Sequence, residues 1–193
     1  YLSRPVRHSS PELTREHHLL LHRIARKTWL FFEEFVNERE NWLPPDNFQE
    51  IPVPTIASRT SPTNIGISLL ANLAAYDFGY LSAGALIERS NQTLTTITKL
   101  QKYREHLYNW YDTRTLEPLH PLYVSSVDSG NLAGHLIILA QCLKEIMDKP
   151  VYSPVIFNGL LDTVRVMRYI APKLSGLEII ETELIGKEPH HLF

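Results

Sequence analysis

Apolar side chains recur at spacings of three and four along most of this chain, which predicts amphipathic helices. Leu13, Leu20, Leu21, Ile24, Phe31, Phe32 and Phe35 mark the first helix. It is expected to start at Ser9 or Ser10, with Pro11 and Glu12 suiting a first turn. It should fade before Asn41 and end at Pro44-Pro45. Ser61-Pro62 predicts a second start, followed by Ile65, Leu69, Leu70, Leu73 and Phe78 and closed by Gly79. Ser82 should cap a third helix carrying Leu86, Leu94, Ile97 and Leu100, against the weak helix propensity of the β-branched run from Thr93 to Thr98. A fourth is expected from Asp128 to about Met147 through Leu132, Leu136, Leu139 and Leu143. A fifth should open at Ser153-Pro154 and run through Leu160, Leu161, Val164 and Met167. Leu177 to Ile185 fits strand or helix, and residues 171–193 read as a poorly defined tail.

The connections alternate in length. Lys27 to Asn64 and Glu105 to Ser126 are long passages, while Gly79 to Ser82 and Asp148 to Ser153 are short. Short connections make antiparallel helical hairpins, and the alternation sends both long loops to one end of the bundle. The expected fold is all-α, part of an α/α toroid in which one rim is functional, with the chain a single partial domain. The loop Asn41 to Thr60 is stiffened by four prolines and anchored by Trp42, Phe48 and Ile56. The 105–126 loop is aromatic and turn-rich, with a small β-hairpin expected around Asp112-Thr113-Arg114. No internal repeat is visible.

Composition narrows the chemistry. The 193 residues suffice for a real core, and the net charge of −2, from 19 basic and 21 acidic side chains, supplies no field for nucleic acid. A single cysteine, Cys142, permits neither an internal disulfide nor a thiolate metal cluster. The apolar stretches Gly66 to Ala75 and Leu132 to Ala140 are about half the length of a membrane span. The start Tyr1-Leu2-Ser3-Arg4-Pro5 lacks an initiator Met and a signal-peptide layout, so a soluble piece of a longer protein is expected.

Both long loops mix aromatic rings with carboxylate, amide and guanidinium groups. The first holds Trp42, Asp46, Asn47, Gln49, Glu50 and Arg59, with Asn64 just inside the next helix. The second holds Asn109, Trp110 and Asp112, leading to Asp128 and Asn131. Sugars require this mixture, because a pyranose presents a C–H face to a ring and hydroxyls to bidentate polar partners. The opposing reading is that aromatics anchor the loops and polar groups cap helices, which bears most on Asp128, Ser129 and Thr60. Asp46, Glu50, Asp112 and Asp128 are candidates for a glycosidic carboxylate pair, though binding or capping fits each better. His18 and His22 have metal-pair spacing but no third ligand nearby, and a solvated face accounts for them. His135 reads as a hydrogen-bonded core histidine and Cys142 as a small buried hydrophobe. No metal, cofactor, phosphate-cradling loop or nucleophile elbow is indicated.

The segments WLPPDNFQE (Trp42 to Glu50), RTSPTNIG (Arg59 to Gly66), YNWYDT (Tyr108 to Thr113) and VSSVDSGNLAGHL (Val124 to Leu136) resemble cyclic β-1,2-glucan synthases. The resemblance runs from about Ile24 to about Cys142, in the N-terminal portion of the glucoamylase-like middle region of those large bacterial inner-membrane enzymes. It implies an (α/α)6 barrel that binds linear β-1,2-glucan and closes it by transglycosylation. Asp46, Asn47, Gln49, Glu50, Arg59, Asn64, Trp110, Asp112, Asp128 and Asn131 would then be subsite residues, with this region cytoplasmic. The family's catalytic glutamates are expected in SEARL-like and SESAYN-like segments, and neither occurs up to Phe193. The resemblance therefore implies a half-barrel that is inactive alone, partnered by glucan and the rest of its parent chain. Its uncovered helix faces would favour self-association.

Overall fold

The computed structural model describes residues 12–150 and 153–185. Six helices carry the fold among them: α1 (Arg15–Phe35), α2 (Pro62–Asp77), α3 (Ala83–Lys99), α4 (Ser126–Met147), α5 (Val155–Ile170) and α6 (Leu177–Ile185). The all-α expectation is borne out, with one helix more than the five read from spacing. α1 starts later than the expected Ser9 or Ser10, which lie outside the described residues: Glu12, Leu13 and Thr14 are not helical, because Thr14 supplies the cap. Its hydroxyl accepts from His17 N while the His17 ring accepts from Thr14 N. Ser61 and Ser82 cap α2 and α3 through Asn64 N and Ala85 N, with Pro62 in the first turn of α2. α4 starts earlier than expected: Ser125 is its cap, accepting from Asp128 N. In the segment expected as a poorly defined tail, Leu177–Ile185 is helix, because buried Leu177 and the carboxylates of Glu178 and Glu181 dock it on α5.

α2 and α3 form an antiparallel hairpin closed at Gly79, whose φ of +76° suits a residue without a Cβ. Asn72 donates to Ser90 across that pair. α2 and α4 lie side by side with their N-termini at the same end, since Thr63 meets Asp128 and Gly66 meets His135. α5 turns away from α4 and docks on α1. His22 Nδ1 lies 2.8 Å from buried Asp162, Arg26 donates to Thr163, and Gly159 abuts the Gly79 backbone too closely for any Cβ. The Tyr80 hydroxyl also donates to Asp162, and burial together with that carboxylate pushes the phenol far above its usual range.

Arg89 of α3 closes the C-terminal end of α1. It is half-buried, donates to the carbonyls of Phe32 and Val36, and sits between the rings of Trp29 and Trp42 at 5.3 and 5.9 Å. Burial lowers its pKa, with Glu33 partly opposing that shift. Two hydrophobic cores result. Leu69, Leu73, Leu86 and Leu139 fill the helical body, with half-buried Cys142 packed against them. Leu43, Ile65, Leu100, Leu107 and Tyr111 form the second, directly under the long loops.

Candidate functional site

The first loop folds back on itself. A short 3-10 turn, Glu38–Glu40, leads into Asn41 and Trp42, which both take left-handed backbone with φ of 51° and 60°. Their carbonyls are held by the hydroxyls of Thr96 and Thr93 at 2.7 and 2.8 Å. These are threonines of the run that sequence propensity counted against helix. Pro44 and Pro45 are buried, and the loop continues through the hairpin of β1 (Phe48–Gln49) and β2 (Thr55–Ile56). It then enters β3 (Arg59–Thr60).

The second loop opens with a tight hairpin of β4 (Lys102–Tyr103) and β5 (His106–Leu107), and then reaches β6 (Tyr111–Asp112). The reversal expected around Asp112 to Arg114 is present, with Asp112 N donating to Glu117 O and Leu119 N to Trp110 O. The sequence could not reveal the other partner. β6 pairs antiparallel with β3 of the first loop, Arg59 opposite Asp112 and Thr60 opposite Tyr111. Tyr111 is fully buried, accepts from Tyr108 N and donates to Gln101 O, both at 2.7 Å. Burial pushes its phenol to about 12.

Asn47, Gln49, Ala57, Ser58, Arg59, Asp112 and Leu119 line an open trough of about 480 Å³ along this seam. Arg59 is the hub. It donates to Asp46 through Nε and Nη2 at 3.2 and 2.9 Å, and its guanidinium lies 5.1 Å from the Trp110 ring centre. Asn64 reaches the other Asp46 oxygen at 3.4 Å, and Asn47 donates to Asp46 at 3.1 Å. One face of Trp110 is thus occupied by Arg59, so a sugar could stack only on the opposite face.

A second polar cluster joins the starts of α2 and α4. Thr63 donates to Asp128 at 2.6 Å and accepts from Asn131 at 3.1 Å. In the orientation that satisfies all its neighbours, the Asn109 amide donates to Asp128 at 3.1 Å and accepts from Tyr123 and from the Trp110 indole at 2.6 Å. Burial works against ionisation of Asp128. Hydrogen bonds from Ser125, Thr63 and Ser61 outweigh it and hold the carboxyl below its usual range.

The structure therefore brings Asp46, Asn47, Gln49, Arg59, Asn64, Asn109, Trp110, Asp112, Asp128 and Asn131 to one end of the molecule. Two candidates stand apart. Trp42 lies against the Arg89 guanidinium, which attracts its ring face, and does not line the trough. Glu50 is exposed on the β1–β2 hairpin outside the lining. Asp128 is not the helix cap that the competing reading made it; that role falls to Ser125. Asp112 closes its own turn by accepting from the backbone N–H groups of Arg114 and Thr115. His135 is tightly packed on Gly66, but its buried Nδ1 has no hydrogen-bond partner among the described residues, contrary to expectation. Sequence reasoning missed Ser58, Thr63, Tyr123 and buried Glu40. A hydroxyl or the fourth glutamate in an acidic run carries no signal until the chain is folded.

No protein-family model matches the chain. Over 130 residues, 67% of its length, it is 55% identical to the cyclic β-(1,2)-glucan synthase NdvB of Rhizobium meliloti, of which it spans 5%. The resemblance read from the loop segments is borne out. Among solved structures, a glucoamylase-like protein from Bacteroides fragilis aligns with 95% of this chain and 36% of its own, at 18% identity and a TM-score of 0.47.

Proposed function

We propose that this chain is a segment of a cyclic β-1,2-glucan synthase, from the region that holds linear β-1,2-glucan while transglycosylation closes it. One observation carries this reading. Loops from two successive helical hairpins converge on Arg59, which meets Asp46 from the first and Trp110 and Asp112 from the second beside one open trough. Guanidinium, carboxylate and amide groups line that groove, with the Trp110 ring held against its Arg59, a set suited to saccharide recognition. The identity to NdvB points the same way.

The chain supplies grip and not acid–base chemistry. Asp46, Asp112 and Asp128 are each held by neighbouring donors, which suits fixed binding groups. The catalytic pair would come from the remainder of the parent chain. α4 supports such a partner, since Val127, Ile137 and Ile138 are exposed along one face on which Gly130 and Gly134 meet open space. In an (α/α)6 toroid the next inner helix covers that face, and without it the chain would self-associate, which light scattering would reveal. The parent would lie in the bacterial inner membrane with this region cytoplasmic. Among the described residues no helix is long and apolar enough to cross a membrane.

A second reading is a non-catalytic carbohydrate-binding or helical scaffolding module, favoured by those same engaged carboxylates. Calorimetric titration with linear β-1,2-glucan tests the first. The wild-type chain should bind, and Trp110→Ala should weaken binding by about tenfold. No heat with the wild type ends the sugar reading. Ring closure by the chain alone would end the division of labour proposed here.

A further inference from the structure

A buried carboxylate lies beneath the trough without lining it. Glu40, at the end of the 3-10 turn, is 2% exposed. It accepts from Ser58 Oγ at 3.1 Å, from Thr113 Oγ1 through a short hydrogen bond, and from Arg114 Nε at 3.0 Å. Ser58 immediately precedes Arg59, and Thr113 immediately follows Asp112. The Thr113 N–H also donates to Ser58 O at 3.1 Å, and the Asn41 side chain donates to the carbonyls of Thr113 and Arg114.

A charge taken out of water is tolerated only where donors surround it. Here those donors come from both long loops, one or two steps along the chain from the two residues that face each other across the β3–β6 seam. We propose that Glu40 is the positioning residue of the trough. Its single carboxylate fixes both loops to the 3-10 turn that follows α1, so that Arg59 and Asp112 stay in register and present their side chains to one ligand. Neither loop has enough strand to fix that register itself, because β3 and β6 are two residues each. Ligand contact rests on the sugar-binding reading above; the fixing of the loops does not.

The test uses the whole chain with Glu40→Leu, Glu40→Gln and Thr113→Val, read by hydrogen exchange and by calorimetry with linear β-1,2-glucan. Glu40→Leu should speed exchange at 57–60 and 110–114 by about tenfold, while 65–73 of α2 keeps its protection. Glu40→Gln should restore most of that protection, since the amide oxygen can accept from Ser58 and Arg114 while the Thr113 hydroxyl turns to accept from the amide NH2. Glucan affinity should follow loop exchange across the variants and not thermal stability. Should Glu40→Leu fail to fold, Thr113→Val carries the test with about fivefold acceleration in both loops. Exchange within about twofold of wild type, or acceleration of one loop alone, overturns the proposal. Absence of glucan binding by the wild-type chain overturns its sugar part, and the exchange data still decide whether Glu40 sets the loops.

Discussion

The guanidinium of Arg59 lies 5.1 Å from the centre of the Trp110 ring while its Nη2 sits 2.9 Å from Asp46 Oδ2. One side chain thus joins a carboxylate of the first loop to an indole of the second. The Arg59 side chain is 54% exposed, so this ion pair is worth only about 0.5 kcal/mol of stability. Its effect should appear in recognition. Arg59→Ala should leave the melting temperature nearly unchanged yet weaken β-1,2-glucan binding about tenfold. Arg59→Lys should not restore affinity, because a point charge replaces a planar fork. A double-mutant cycle with Trp110→Ala should give a coupling of about 0.5–1 kcal/mol, and strict additivity would refute the stacked pair.

Arg89 should matter to stability far more than Arg59. It satisfies two α1 carbonyls and stacks on two tryptophans while half-buried. Arg89→Met keeps the volume but removes the side-chain donor to Val36 O and the cation between two indoles, while Phe32 O keeps the Val36 N–H, and should cost about 2 kcal/mol in urea unfolding. Arg89→Lys should recover little of it. A neutral outcome for Arg89→Met would mean that water replaces the guanidinium without loss.

Acid should loosen the junction of α2 and α4. Asp128 has a carboxyl held lower in the folded chain than in the unfolded one. Its contribution is therefore present above the ordinary carboxylate pKa of roughly 4 and is lost as pH falls through the lowered value. Asp128→Asn should be about 1–2 kcal/mol less stable at neutral pH, with the gap closing in acid. Denaturant midpoints across that range measure it, and a gap that stays constant with pH would exclude the carboxylate as the cause.

The contact of α2 with α4 depends on the absence of a side chain. A Cβ at Gly66 would stand 2.3 Å from His135 Nδ1. Gly66→Ala should destabilise by about 1–3 kcal/mol in thermal unfolding, since both partners sit on rigid helices. Adding His135→Ala should recover part of that loss by emptying the space. Failure of the second change to help would place the strain elsewhere.

Local chemistry sufficed for the helices. Ser61-Pro62, Ser82 and Gly79 marked ends that the structure keeps, because caps and left-handed turns depend on residues within one helical turn. The pairing of short connectors was legible only in part. The α2–α3 hairpin forms, whereas α5 leaves α4 for α1, drawn by the contacts of Asp162 with His22 and of Gly159 with Gly79. The loops' composition identified ten of the trough-end residues, and it could not exclude Trp42, whose ring is claimed by an arginine on another helix.

The amino-acid order by itself determined five of the helical segments and which loops carry sugar-suited chemistry, since both follow from side chains near one another along the chain, while docking on α5 decided Leu177–Ile185. Only the tertiary structure decided that Arg59 faces Asp112, that Asp128 binds Thr63, and that Glu40 lies under both loops. Those facts depend on which distant donors reach an acceptor after water has been expelled, and spacing along a chain does not encode that competition.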